Sequence, residues 1–210
     1  MAELILHDYW RSGAAWRVRM ALSLKNVPAR SIPVDLSAGA QAHPAYRAVN
    51  PQALVPALEA EGTIITQSLA ILEWLEETHP TPPLLPKTPL ARAQVRAMCA
   101  LIACDIHPLQ NLRVQNYLKA HNLNPGDWTR HWLSEGLAAL ETLVSAQGQG
   151  FCHGDSPTMA DCFLIPQLYA ARRFKVDMAP YPALLAVEAK AMARPEIARA
   201  HPDAHPDKPD

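Results

Sequence analysis

Chemistry in this chain begins at Arg11-Ser12-Gly13-Ala14-Ala15, where a short apolar run (Leu4, Ile5, Leu6) gives way to a loop and then to helix formers. A serine at such a junction sits at the foot of the helix. Its hydroxyl and the first unpaired backbone N–H groups then face one point, an arrangement suited to an anion or a thiolate. On this segment alone the same serine reads as a plain helix cap. Arg11, Arg113 and Arg173 are further candidates. A guanidinium forks onto a carboxylate through two parallel hydrogen bonds and keeps its charge at any working pH, which suits arginine to an anionic ligand. Taken singly, each is compatible with a solvated surface position. His107 and Asn111 stand i, i+4 and share a face if their stretch is one straight helix. Arg113, two residues on, is turned roughly 200° from Asn111 in such a helix, so a bend near Pro108 is needed to bring them together.

The elements that must position these groups change character along the chain. The first eighty or so residues mix strand and helix. Leu4 to Leu6 reads as a strand, Ala14 to Lys25 as a largely buried helix, and Ile32 to Leu36 as a strand whose Pro33 points to a sheet edge. Val55 to Glu59 and Thr63 to Thr66 flank Glu61-Gly62, a hairpin signal. Ser68 then reads as the N-cap of an apolar-faced helix. This order predicts an α/β domain over residues 1–84. The prolines from Pro80 onward mark a break, with a linker at 85–90. Beyond it strands vanish, and Leu90–Ala120, Asp127–Ala146, Thr158–Phe174 and Tyr181–Ala193 read as helices of an all-α bundle over 91–210. Thr158 and Asp161 have capping-box spacing, with Asp161 heading an apolar helix in a structural rather than catalytic role. The tail from about 200 to 210, rich in Pro, Asp and His, reads as disordered.

The totals exclude several classes. A chain of 210 residues, 49% hydrophobic, can bury a full core, and a net charge of −1 argues against a nucleic-acid surface or a polybasic membrane patch. The start of the chain lacks a signal-peptide pattern, and no apolar run is long enough to span a bilayer. A cytoplasmic protein is therefore expected. Cys99, Cys104, Cys152 and Cys162 show neither CxxC nor zinc spacing, so no metal site is expected, and they read as buried reduced thiols.

An α/β domain, a proline-rich break and a helical domain with a buried capping box, in that order, resemble the glutathione transferase superfamily. Val55-Pro56 before Ala57-Leu58 looks like its cis-proline segment, Gln67-Ser68 like its γ-glutamyl-binding pair, and Thr158 to Asp161 like its capping box. Arg11-Ser12 with Trp16-Arg17-Val18-Arg19, Asn50-Pro51, Gln67 to Ile71, His107 to Asn111 and Arg173 to Asp177 closely resemble the zeta class. One departure matters: where that class usually has Ser-Ser-Cys, this chain has Ser12-Gly13-Ala14. Reactions that need an enzyme thiol at the helix foot are thereby disfavoured, whereas cis–trans isomerisation needs only the thiol of glutathione.

The resemblance implies a thioredoxin-like first domain and glutathione as cofactor, held by Ser12, Gly13, Ala14, Gln52, Val55, Pro56, Gln67 and Ser68, with His107, Gln110 and Asn111 contributing from the helical part. It implies a small anionic diketo acid as substrate, maleylpyruvate or maleylacetoacetate, gripped by Arg11, Arg113 and Arg173, of which Arg173 rather than Arg172 faces the pocket. It further implies a homodimer. Two other functions remain open at this point: a general transferase conjugating electrophiles, and a non-catalytic glutathione-binding protein.

Overall fold

The computed structural model describes residues 3–209. They form two compact units: one comprises the chain up to Leu84 together with the residues from Ala193 onward, and the other is Leu85–Met192.

The first unit is built on a four-stranded mixed sheet in the order β2-β1-β3-β4. The central strand β1 (Leu4–Asp8) pairs in parallel with β2 (Ala29–Pro33) and antiparallel with β3 (Ala57–Ala60), which pairs antiparallel with β4 (Thr63–Thr66). Proline has no N–H to give a ladder, and β2 is indeed an edge strand. It spans 29–33 rather than 32–36. The Val34 amide closes onto the Asp8 carbonyl at 2.7 Å, and the Asp35 carboxylate then takes the Ser37 amide at 2.8 Å, folding the chain out of the sheet. In the β3–β4 hairpin Glu61 (φ 52°) and Gly62 (φ 76°) are both left-handed, as a two-residue turn that matches strand twist requires.

Helix α1 (Gly13–Leu24) is buried almost all round, with Trp16, Val18, Met20 and Ala21 in the core, and it packs against α3 (Ser68–Thr78). Between these lies a short helix absent from the sequence reading, α2 (Pro44–Val49), anchored by Tyr46 in an apolar cluster with Val34 and Val55. Lys25, just past α1, is buried and donates to Glu76 Oε2 (2.7 Å), His79 O (2.7 Å) and Pro82 O (2.9 Å). Glu76 also accepts the Leu84 amide at 2.9 Å, so one ion pair ties α1 to the end of α3 and to the proline run.

The second unit is helical throughout: α4 (Pro89–Ala100), α5 (Leu112–Ala120), α6 (Pro125–Gln147), α7 (Met159–Arg173) and α8 (Pro182–Met192). The single helix expected from Leu90 to Ala120 is broken. After Ala100 the backbone widens into a π-helical turn (Leu101–Ile106), tightens into a 3-10 turn (His107–Gln110) and restarts at Leu112. Proline at 108 cannot donate back along the helix, and Gly136 on α6 admits Ile106 so closely that a Cβ there would stand 2.3 Å from Ile106 Cδ1. The capping box forms: Asp161 Oδ2 accepts from Thr158 N (2.7 Å) and Thr158 Oγ1 (2.9 Å), while Oδ1 accepts from Cys152 N (2.8 Å). Burial pushes the Asp161 carboxyl up, against the pull of these donors.

Within the expected linker, 85–90, Leu85 is buried, residues 87–90 are exposed and Pro89 opens α4. Two further expectations are corrected. Cys104 is exposed, unlike the other three cysteines. Residues 200–209 are ordered: after a short helix (Pro195–Ala198), His201 sits edge-on to Trp16 with ring centroids 4.9 Å apart, Pro202 is buried, and His205 reaches Asp8. The prolines and aspartates that suggested disorder serve here as a 3-10 turn, Pro202–Ala204, between two histidine anchors. No helix among the described residues is long and apolar enough to cross a membrane.

Candidate active site

Strand register assembles the site in the first unit. His7 of β1 lies opposite Ala57, the first residue of β3, and Ala57 lies opposite Thr66, the last of β4. The loop after β1, the residues before β3 and the residues after β4 therefore emerge at one end of the sheet. Those are Arg11-Ser12-Gly13-Ala14, Val55-Pro56 and Gln67-Ser68, brought together from three remote places in the chain.

Ser12 adopts extended backbone angles (φ −69°, ψ 118°) and caps α1, its Oγ accepting the Ala15 amide at 3.2 Å. The cap reading is met, and a hydroxyl that accepts from a cap amide still has its own proton to donate. The amides of Gly13 and Ala14 belong to the first turn, where helix geometry provides no intrahelical carbonyl. The Arg11 guanidinium lies 5.2 Å from the Trp10 ring centroid, a cation–π contact that orients it beside Ser12.

The Val55-Pro56 peptide is cis, as the resemblance implies. Two groups to which the sequence reading gave no role hold this loop: Asn50 Nδ2 and Tyr46 Oη both donate to the Leu54 carbonyl at 2.7 Å. Burial pushes the Tyr46 phenol up to about 12, so it remains a donor at every working pH. Gln52 and Gln67 meet directly, Gln67 Nε2 donating to Gln52 Oε1 at 2.7 Å, and both are exposed. Ser68 is not the cap of α3. Gln67, at φ 69°, holds that position, and Ser68 is the first helical residue, its hydroxyl accepting from buried Arg17 Nη1 at 3.1 Å.

In the second unit the i, i+4 face proposed for His107 and Asn111 does not exist, because the helix breaks between them. Asn111 instead caps α5, its Oδ1 accepting the Arg113 amide at 3.1 Å. The bend that Arg113 needs is present, and its side chain is exposed at the start of α5. Gln110 turns inward and exchanges a reciprocal pair of amide hydrogen bonds with Gln167, each 3.2 Å, with His107 Nδ1 at 3.4 Å from Gln110 Nε2. At the end of α7 the two arginines diverge. Arg172 makes a two-pronged pair with Glu188, 2.6 Å on one prong, whereas Arg173 lies over the Phe174 ring at 5.3 Å. Arg172, not expected at the pocket, is exposed and engaged in this ion pair.

The donor set fits a small thiol peptide. A hydroxyl and helix-start amides suit a thiolate, extended backbone beside Pro56 suits a peptide main chain, and paired glutamine amides suit an amino-acid head group.

Comparisons with known proteins agree. Residues 11–78 match the family described as glutathione S-transferase, N-terminal domain, and residues 127–189 match glutathione S-transferase, C-terminal domain. The chain is 46% identical over 210 residues to a maleylacetoacetate isomerase of Pseudomonas aeruginosa, covering 97% of this chain and 98% of that one. Among solved structures it resembles a holo maleyl pyruvate isomerase described as a bacterial zeta-class glutathione S-transferase (TM-score 0.95, 43% identity, 98% and 100% coverage). It also resembles a maleylacetoacetate isomerase from Anaeromyxobacter dehalogenans with glutathione bound in its active site (TM-score 0.91, 45% identity, 99% and 98% coverage).

Proposed function

Because the chain belongs to the glutathione S-transferase family, within its zeta class, we infer that it is a glutathione-dependent cis–trans isomerase of maleylpyruvate or maleylacetoacetate. The observation that carries the reading is the convergence of the Ser12 cap, the Val55-Pro56 segment and the Gln52–Gln67 pair at one end of the sheet.

When bound, glutathione supplies a thiolate nucleophile that is not consumed. Val55 and Pro56 would present main-chain groups to the tripeptide, and Gln52, Gln67 and Ser68 its γ-glutamyl end, with Gln110 backing His107 and Asn111 from the second unit. Ser12 donates its remaining proton toward the sulfur, and the amides of Gly13 and Ala14, with the α1 dipole behind them, stabilise its negative charge. Arg11, Arg113 and Arg173 grip the two carboxylates of the substrate and polarise its carbonyl oxygen as charge builds there. Glu188 removes Arg172 from this task. The reading extends to a homodimer, as the zeta-class resemblance implies, and to a cytoplasmic location.

Purified protein is assayed with each keto acid, with and without glutathione, by the ultraviolet change at the cis chromophore. Arg113→Ala and Arg173→Ala are each expected to lose about tenfold or more in kcat/KM for the keto acid while glutathione affinity is kept, the order of a lost charge-assisted pair. Equal turnover of chlorinated aromatic electrophiles, with no effect of either substitution, would assign a conjugating transferase instead.

A further inference from the structure

Arg19 is a residue for which the active-site reading has no use, yet it touches three separate parts of the first unit. Its Nη1 donates to both carboxylate oxygens of Asp8, at 2.6 and 2.8 Å. Its Nη2 donates to the Trp10 carbonyl at 2.9 Å, and Nη1 reaches the Tyr9 carbonyl at 3.5 Å. Its Nε donates to the Ala200 carbonyl of the C-terminal segment at 3.5 Å. His205 completes the node: Nε2 donates to Asp8 Oδ2 at 3.1 Å, while Nδ1 accepts the Asp207 amide at 3.2 Å. The Tyr9 carbonyl also accepts the Ser12 amide at 2.8 Å, so the node is one bond from the capping serine.

The geometry points to His205 as a positioning residue for the isomerisation: through Asp8 and Arg19, the C-terminal segment fixes the 9–12 loop and with it the Ser12 hydroxyl and the Arg11 guanidinium. Asp8 is fully buried, so without His205 its Oδ2 keeps the Arg19 Nη1 bond alone. The Arg19 fork is then drawn further onto the carboxylate and away from the loop carbonyls. Room for that shift exists, since Asp8, Arg19, Ser23, Ala204 and His205 border a cavity of about 560 Å³. Gln52, Val55, Pro56, Gln67 and Ser68, which are proposed to hold the rest of the tripeptide, take no part in the node's hydrogen bonds, so its loss acts on turnover more than on glutathione affinity.

The test compares His205→Leu, which removes the donor at similar bulk, with His205→Gln, whose amide nitrogen can occupy the place of Nε2. His205→Leu is expected to lower kcat about tenfold or more with KM for glutathione within about twofold, and His205→Gln to restore kcat to within about threefold. In parallel, amide hydrogen exchange over residues 9–12, read by mass spectrometry without substrate, quickens about tenfold in His205→Leu and not in His205→Gln. Equal loss in both variants, or unchanged exchange in His205→Leu, overturns the positioning role. The kcat readout rests on the isomerase reading and the exchange readout does not. A wild-type protein inactive on both keto acids therefore sinks that reading, while exchange still decides the role of His205.

Discussion

Ser12→Ala separates structural from chemical use of the hydroxyl, because the residue caps α1 and is proposed to donate to the thiolate as well. As a cap it satisfies the Ala15 amide at 3.2 Å. Replacing a serine cap by alanine costs about 1 kcal/mol, which in a chain of this size lowers Tm by roughly 2–4 °C. As a donor to a thiolate it makes a hydrogen bond to a charged group, worth about 1.5–3 kcal/mol, or roughly 10- to 100-fold in kcat/KM. The same interaction sets the acidity of the bound thiol, so its pKa should rise by about one to two units. The Gly13 and Ala14 amides remain, so activity falls without vanishing. The assay pairs steady-state kinetics on the keto acid with titration of thiolate absorbance in the enzyme–glutathione complex, and Ser12→Thr serves as the hydroxyl-retaining control. If Ser12→Ala melts a few degrees lower yet keeps kcat/KM within twofold and an unchanged thiol titration, the serine is a cap alone and the thiolate argument fails.

Lys25→Met should destabilise the protein by about 3–5 kcal/mol in urea melts, because it strands the Glu76 carboxylate among buried groups; Lys25→Met with Glu76→Leu should recover much of that loss. For Asp8, burial works to raise the carboxyl, but the His205 hydrogen bond and the Arg19 charge overcome it and hold the group below the ordinary carboxylate value. Just below that ordinary value the unfolded chain binds the proton more readily than the folded one. The stabilisation is therefore complete above the unfolded value and lost as pH falls through the lower folded one. Melts between pH 6 and 3 should show stability falling toward acid, less steeply in Asp8→Asn; identical slopes in the two proteins would contradict this.

Much of the fold was legible because its signals are local. A serine before helix formers, a Glu-Gly pair between β-prone runs, a proline in an edge strand and the Thr158…Asp161 spacing each encode their geometry within a few residues, and each is found in the structure. The break after Ala100 was not legible. The residues from Leu101 to Ile106 are ordinary helix formers, and their widening reflects the close seat of Ile106 on Gly136 of α6, with Pro108 as the only local sign. Ser68 misled for a related reason: serine favours caps, but Arg17, 51 residues away, claims its hydroxyl inside the helix.

The sequence by itself determined the division into an α/β part and a helical part, the helix foot at Ser12, the hairpin and the capping box, since backbone propensity and turn chemistry act between near neighbours. Only tertiary structure decided which charged groups meet. Lys25 finds Glu76 across 51 residues, and His205 finds Asp8 across 197. A composition that reads as a frayed end becomes an ordered segment because a buried carboxylate, already held by Arg19, has an oxygen to offer, and burial makes that one hydrogen bond worth keeping.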